Sequence, residues 1–382
     1  MKQSKLILIS VILIILQSCG ESTTDGGTAV IDPIPANSDA QYSSDLPYQL
    51  NVFYFIPKDL RALPQYQERI SSILLNAKQF IKKNMTEKGY ANSSMGLLVD
   101  KNNLVKINVI NGKLNNKDYN YNDDKAADRI KAEIETFYAQ NANSKRSEHV
   151  LVLLPSEYGS NNEPIASGPF YGIGTYCYAI DYPDMDQKYL GTSGRLGELA
   201  TKWIGGLVHE LGHGLNINHD KSTVSDQIKY GESLMAAGNY TYEKEPTHVT
   251  KASCSVLNTS QIFQKNKIDD MYGEATLVLS NLKGSYSNSN ILFTGDYKTN
   301  KAVNEIDLFL DPEGDDDYNQ VGFVTSPNNS SFEFKVPISE LEVKKGKYEL
   351  NITFLFKNGF KNEEFKIPFQ FKNGIPDLNY KN

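Results

Sequence analysis

The chain has 382 residues, of which 40% are hydrophobic and 22% charged, enough for two folded units with a sizeable core. Its 39 basic and 46 acidic residues leave a net charge of −7, and no lysine- or arginine-rich stripe runs along it. An electrostatic surface for nucleic acid is therefore excluded. The 23 tyrosines, against a single tryptophan at Trp203, read as strand formers in β-rich regions.

Lys2 and Lys5 precede an apolar run over residues 6–16. That run is too short to span a bilayer and marks a targeting segment. Leu16-Gln17-Ser18-Cys19 resembles a bacterial lipobox. The resemblance implies a signal peptide over residues 1–18 and a lipid anchor on Cys19. It further implies an exported lipoprotein at the outer membrane or cell surface, with a periplasm-facing anchor as the alternative. Residues 19–46 are rich in Gly, Ser, Thr, Asp and Pro and predict a flexible tether.

Residues 48–56 are apolar and aromatic up to Pro57 and predict a strand. Residues 64–84 carry Ile70, Ile73, Leu74, Ala77, Phe80 and Ile81 at helical spacing. Residues 95–100 and 104–110 predict short strands around a Lys101-Asn102-Asn103 turn. A second amphipathic helix is expected over 124–138, with Ile130, Ile134 and Phe137 on one face. Residues 150–154 are continuously apolar before Pro155, as a buried central strand would be. Residues 170–180 alternate as a further strand, and 192–215 form a third helix, capped by Thr192 or Ser193. This order predicts a mixed α/β layer.

The third helix runs into His209-Glu-Leu-Gly-His213-Gly-Leu-Asn-Ile-Asn-His219-Asp220. Three of the chain's five histidines lie here. His209 and His213, four apart, share one helix face and can share one metal ion. His219 would face the wrong way on a continuing helix, so the chain must turn after His213. Gly214 and Asn216 accept the positive φ that ends helices. Three imidazoles with one open position are the ligand set of a catalytic zinc. Glu210, beside the first ligand, is placed to act as general base towards a zinc-activated water. Other transition ions share this preference for imidazole.

This run resembles the metzincin zinc-protease signature, with Asn216 standing where the family has glycine. Ser233-Leu-Met235-Ala-Ala-Gly238 is similar to the family's methionine turn. The resemblance implies that Met235 forms an apolar floor beneath the imidazoles without ligating. Asp220 is similar to the residue in that place in the adamalysin and snapalysin branches, as a hydrogen-bonding group behind the site or a cap on the loop. Ala237 takes the place of the tyrosine of astacin-like members, so no tyrosine ligand is expected. The resemblance covers about residues 48–270, within a unit spanning 47–274. It implies a metzincin-like catalytic domain with a mixed sheet and an active-site helix. It also implies that residues 170–179 form the edge strand along which a peptide substrate pairs. His149 and His248 are expected to stand outside the ligand set, and Tyr240 and Tyr242 either to assist the oxyanion or to pack.

Cys177 and Cys254 form an even pair in an exported chain and predict a disulfide. Its closure is worth roughly 4–5 kcal/mol in the chain-entropy account; two separate buried thiols are the alternative. Over 275–382 the pattern changes to short strands at 277–279, 290–294, 306–310, 322–325, 332–336, 348–356 and 365–371. Asn358-Gly359 is a hairpin signal. The expectation is a β-sandwich, immunoglobulin-like. The acidic run over 311–317 offers oxygens that can hold Ca2+, without EF-hand spacing.

These features predict a monomeric zinc endopeptidase that cleaves proteins outside the cytoplasm. Two alternatives are an adhesion lipoprotein whose sandwich binds a glycoprotein or polysaccharide, and a zinc amidohydrolase acting on a non-peptide substrate. Glu210 argues against binding alone, which needs no base.

Overall fold

The computed structural model describes residues 41–90, 93–165, 167–312 and 318–378. The leader, Cys19, most of the tether and residues 313–317 of the acidic run lie outside that set. In chain order the first part holds β1 (Asn51–Ile56), α1 (Tyr66–Glu87), β2 (Ile107–Asn111), α2 (Ala126–Gln140), β3 (Val150–Pro155), β4 (Tyr171–Ile173) and β5 (Tyr176–Asp181). There follow α3 (Arg195–Gly214), α4 (Val224–Tyr230), β6 (Glu232–Ser233), β7 (Thr247–His248) and α5 (Lys251–Thr259). β1 to β5 make one sheet in the order β2-β1-β3-β5-β4. All pairings in it are parallel except that of β4, which runs antiparallel along the β5 edge.

The central strands are apolar on both faces because both faces are covered. Val52, Tyr54 and Ile56 of β1 join one core with α1 and α3, through Ile70, Ile73, Leu207 and Leu211. Phe53 and Phe55 point the other way, into a second core with Ile130 and Ile134 of α2. Arg69 of α1 ties one end of this layer together. Its guanidinium donates to both carboxylate oxygens of the buried Asp181, at 2.5 and 2.8 Å, and the Tyr54 hydroxyl donates to the same carboxylate at 2.9 Å. Losing either partner of such a pair strands a buried charge, at a cost of about 3–5 kcal/mol.

Three expectations are corrected. Residues 95–100 are not a strand; only Val99 makes isolated bridges there, to Ser43 and Val105. The reason lies at Gly96, whose backbone is shared between Leu50 and Ile262, so no ladder can run through it. Residues 170–180 are two strands, since the chain reverses at Gly174 with φ +59°. The third helix starts at Arg195 behind Gly194 and has no side-chain cap; the Thr192 hydroxyl donates instead to the Tyr189 carbonyl.

The second part holds β8 (Leu277–Ser287), β9 (Asn290–Thr299), β10 (Val303–Pro312), β11 (Val321–Thr325), β12 (Ser331–Pro337), β13 (Gly346–Phe356), β14 (Phe365–Lys372) and β15 (Ile375–Asp377). Each of the seven strands expected from sequence lies within an observed one. They form two antiparallel sheets, ordered β11-β10-β13-β14-β15 and β12-β9-β8. Phe293, Phe332 and Phe334 from one sheet share a core with Leu308, Ile352 and Phe354 from the other. Asn358-Gly359 makes the expected tight turn, Gly359 at φ +81° and its N–H donating to the Phe356 carbonyl.

The two parts are joined closely. α5 lies against β10, β11 and β13. The Ser255 hydroxyl of α5 reaches both oxygens of the buried Asp307 of β10, at 2.8 and 2.6 Å. Among the described residues no helix is long and apolar enough to cross a membrane.

Candidate metal centre

α3 brings His209 and His213 to its C-terminal end on one face, as their spacing requires. The helix then stops. Asn216 takes the left-handed conformation at φ +68°, its N–H donates to the His213 carbonyl, and the Ile217 N–H donates to the Gly212 carbonyl. Gly214 does not supply the positive φ; it lets the helix end sit against Cys177 of β5. The turn carries His219 back to the other two. The three Nε2 atoms stand 3.2, 3.3 and 3.0 Å apart (209–213, 209–219 and 213–219).

This donor set fits a metal ion. The His209 Nδ1 lies 2.7 Å from the Leu234 carbonyl and the His213 Nδ1 lies 2.9 Å from the Ile217 carbonyl. A carbonyl only accepts, so both rings carry their proton on Nδ1 and turn a bare Nε2 lone pair inward. Lone pairs facing one another at 3 Å repel unless a cation lies between them. A tetrahedral ion with bonds of about 2.0–2.1 Å sets its ligands about 3.3–3.4 Å apart, close to the observed spacing. Burial and the neighbouring imidazoles push His209 down to about 4 and His219 to about 3; burial also lowers His213. All three are thus neutral and ready to ligate at pH 7. Among the described residues no other group of three His, Cys, Asp or Glu side chains converges in this way.

Glu210 sits beside the ligands and is largely buried. Its Oε2 accepts from the Gly172 N–H of β4 at 2.8 Å. Burial outweighs the lowering effect of the Gly172 bond and raises its carboxyl to about 7. A cation on the histidines would pull it further down. Gly172 allows the contact: a Cβ there would lie 2.2 Å from the Glu210 carbonyl oxygen and 2.5 Å from the His213 Cβ. The edge strand is therefore pressed directly onto the metal helix.

Met235 is fully buried, and its sulfur packs against Gly212, where an added Cβ would lie 2.6 Å from Sδ. It packs against α3 at Gly212. Leu234, its neighbour, holds His209 through its carbonyl. Asp220 touches no imidazole. Its buried carboxylate accepts from Ser233 at 3.0 Å, from Ser253 at 3.0 Å and from Thr250. It thereby pins the His219 loop to the segment before Met235 and to α5. Burial raises its carboxyl to about 6 against the pull of those hydroxyls.

The expected disulfide is not formed. Cys177 and Cys254 are buried free thiols, one on β5 against the end of α3 and the other on α5. Both fill apolar core, and burial raises both thiols far above their ordinary range. His149 and His248 stand apart from the ligands: the first bridges the Gly214 carbonyl and the Tyr272 hydroxyl, the second meets the Ser222 hydroxyl. Tyr242 is buried and donates to Asn76, a packing role, and Tyr240 is exposed.

The second part of the chain also reaches the site, which sequence reasoning missed. The Tyr318 ring stacks on His219, with centroids 3.7 Å apart and planes 24° apart. Gln320 Nε2 donates to the His219 carbonyl at 2.6 Å. Lys361 Nζ donates to the Asn216 carbonyl at 3.2 Å and to Asn218 Oδ1 at 3.0 Å. These residues lie some hundred positions or more from the motif, in loops with no pattern of their own.

No protein-family model matches the sequence, and no curated protein does. Among solved structures, wild-type OgpA from Akkermansia muciniphila is 32% identical, with a TM-score of 0.81 over 85% of this chain and 94% of that one. The chain belongs to the OgpA family. Catalytically inactive OgpA, crystallised in complex with an O-glycopeptide substrate, glycodrosocin, matches with the same identity and TM-score, over 85% of this chain and 93% of that one. The mixed α/β architecture with its several sheets is thus shared with OgpA.

Proposed function

We propose that this chain is a zinc-dependent endopeptidase that cleaves O-glycosylated proteins outside the cytoplasm. The reading rests above all on three neutral imidazoles converging beside Glu210 in a member of the OgpA family. That OgpA was captured with an O-glycopeptide supports a glycosylated peptide as the substrate class here. The metzincin-like reading of residues 47–274 and the immunoglobulin-like reading of 275–382 belong to the same proposal.

His209, His213 and His219 would hold the ion, with zinc favoured by an all-imidazole set that leaves one position open. When bound, the ion supplies Lewis acidity towards the scissile carbonyl and its water. The rest is done by the chain itself. Glu210, held by the Gly172 N–H, takes a proton from the attacking water and delivers it to the departing amine. Burial keeps that carboxylate short of solvent, which strengthens it as a base. Among the described residues β4 has a strand neighbour on one side only, so an extended peptide can add along its other edge, beside the Gly172 N–H that Glu210 holds.

The test uses one O-glycopeptide, the same peptide without its sugar, and the zinc-loaded protein. Cleavage of the glycopeptide, lost on chelation and restored by zinc, is expected. Cleavage of neither peptide, with zinc bound one to one, sinks the reading and favours a binding role or a non-peptide amide.

We also propose that Cys19 carries a lipid anchor. Labelled palmitate fed to cells making the full chain should enter the wild type and not Cys19→Ala. Equal labelling of both would exclude the anchor at this residue.

A further inference from the structure

The motif that supplies the three ligands does not by itself fix the third. His209 and His213 ride on a helix, which holds them rigidly. His219 sits on a loop after a left-handed turn, six residues beyond His213. A loop ligand needs outside support if its ring is to stay within a few tenths of an ångström of its place. From its own half of the chain the loop has the Asp220 carboxylate, which grips the segment just behind His219.

The front of the loop is gripped from the other half. Gln320, 2% exposed, donates to the backbone carbonyl of His219 itself. Beside it the Lys221 N–H donates to the Gln320 carbonyl at 2.7 Å, so the loop and the start of β11 are laced by main chain as well. Lys361, just past the Asn358-Gly359 turn, places its ammonium on the Asn216 carbonyl and the Asn218 side chain. Asn216 is the left-handed residue that turns the chain back. A cation there also suits the negative end of the α3 dipole. Asn218 is tied in addition to Glu364 at 2.9 Å. The Tyr318 ring covers one face of the imidazole.

We infer that Gln320 and Lys361 of the β-sandwich are positioning residues for the metal centre, holding the loop that presents His219. The sandwich is then a working part of the site and not an appended binding module. The two residues act at both ends of the loop, on the turn that starts it and on the carbonyl of the ligand. Neither touches the metal position, so both act through His219. The inference rests on the three-histidine metal site and is independent of what the enzyme cleaves.

The experiment measures zinc affinity and zinc release in the full chain, by competition with a chromophoric chelator and without substrate. The variants are Gln320→Leu, which keeps the side chain's size and removes the donor, and Lys361→Met, which keeps its length and removes the charge. Phe334→Leu, in the sandwich core on β12, serves as the control for general loosening. Zinc binding should weaken about 10- to 100-fold in each positioning variant, as when groups behind a metal ligand are lost. Release should quicken in proportion. The control should lower the melting temperature and leave affinity within about twofold, far short of that range. Wild-type affinity and release in both positioning variants would overturn the inference, whatever their melting temperatures. So would an equal loss in the control, which would show that affinity only tracks global stability. Should Lys361→Met fail to fold, Gln320→Leu decides alone. A wild type that binds zinc and cleaves nothing rejects the peptidase and leaves this inference standing; a wild type that binds no zinc rejects both.

Discussion

Changing Glu210 to glutamine should lower kcat by about 100- to 10,000-fold, the range for loss of a positioned general base, with zinc content at the wild-type level. Glutamine has nearly the same shape and its carbonyl can still accept from Gly172, so the strand and helix stay in contact. What is lost is the ability to take a proton. The pH profile gives a second readout. The base works as carboxylate, so activity climbs as pH rises through its pKa and falls on the acid side. Burial, partly offset by the Gly172 bond, places that midpoint at about 7, and a cation beside it moves the midpoint lower. The wild type should therefore show an acid limb at or below about 7. The variant's residual activity should lack that limb. Steady-state kinetics across pH, with zinc measured on each sample, checks both statements. Undiminished turnover in the glutamine variant would remove Glu210 from the mechanism.

A single methyl at Gly172 should be nearly as damaging. Alanine there puts its Cβ 2.2 Å from the Glu210 carbonyl oxygen, with the His213 Cβ at 2.5 Å and the Gly214 nitrogen at 2.7 Å. The neighbours are mostly backbone of the metal helix, which cannot swing aside as a flexible side chain would. Ordinary overpacking costs about 1–3 kcal/mol, and here β4 must also lift away from α3. That breaks the bond that orients Glu210 and moves the edge along which substrate would pair. Misplacement of reacting groups by about 1 Å costs roughly 100-fold in rate. The expected outcome for Gly172→Ala is a loss of kcat/KM of about that size or more, together with a lower melting temperature. Wild-type values of both would mean that strand and helix are not in the contact described.

Much of the site was readable because its rules are local. The i, i+4 histidines, the turn residue and the apolar run of α3 each follow from helix geometry and backbone preference. The structure gives them the places that spacing demands. β1 and β3 were legible for a similar reason: a strand covered on both faces must be apolar throughout. What stayed hidden depends on meetings between distant segments. Gly172 looks like any strand glycine until α3 is laid against it. Nothing in the sequence around Gln320 or Lys361 says that each will meet a loop a hundred or more positions earlier. Asp220 could be read from sequence only as a hydrogen-bonding group behind the site or a cap on the loop, because its partners, Ser233, Thr250 and Ser253, come from two other segments. The failed strand at 95–100 has the same origin, since Gly96 bonds to Leu50 and Ile262 and not along a ladder. The disulfide expectation failed because pairing arithmetic ignores geometry; each sulfur found its own apolar niche.

Those two unpaired sulfurs have a consequence for where the catalytic unit can work. With no covalent staple between Cys177 and Cys254, cohesion comes from packing, from the Arg69–Asp181 pair and from the hydroxyls gathered on Asp220. Such forces are blind to electron donors. Glutathione, cysteine or sulfide in the surroundings has no bond here to cut, and the deep placement of both thiols slows their oxidation and alkylation. Reductive cleavage of a bond between these two sulfurs is thus not a route by which the unit can lose its shape.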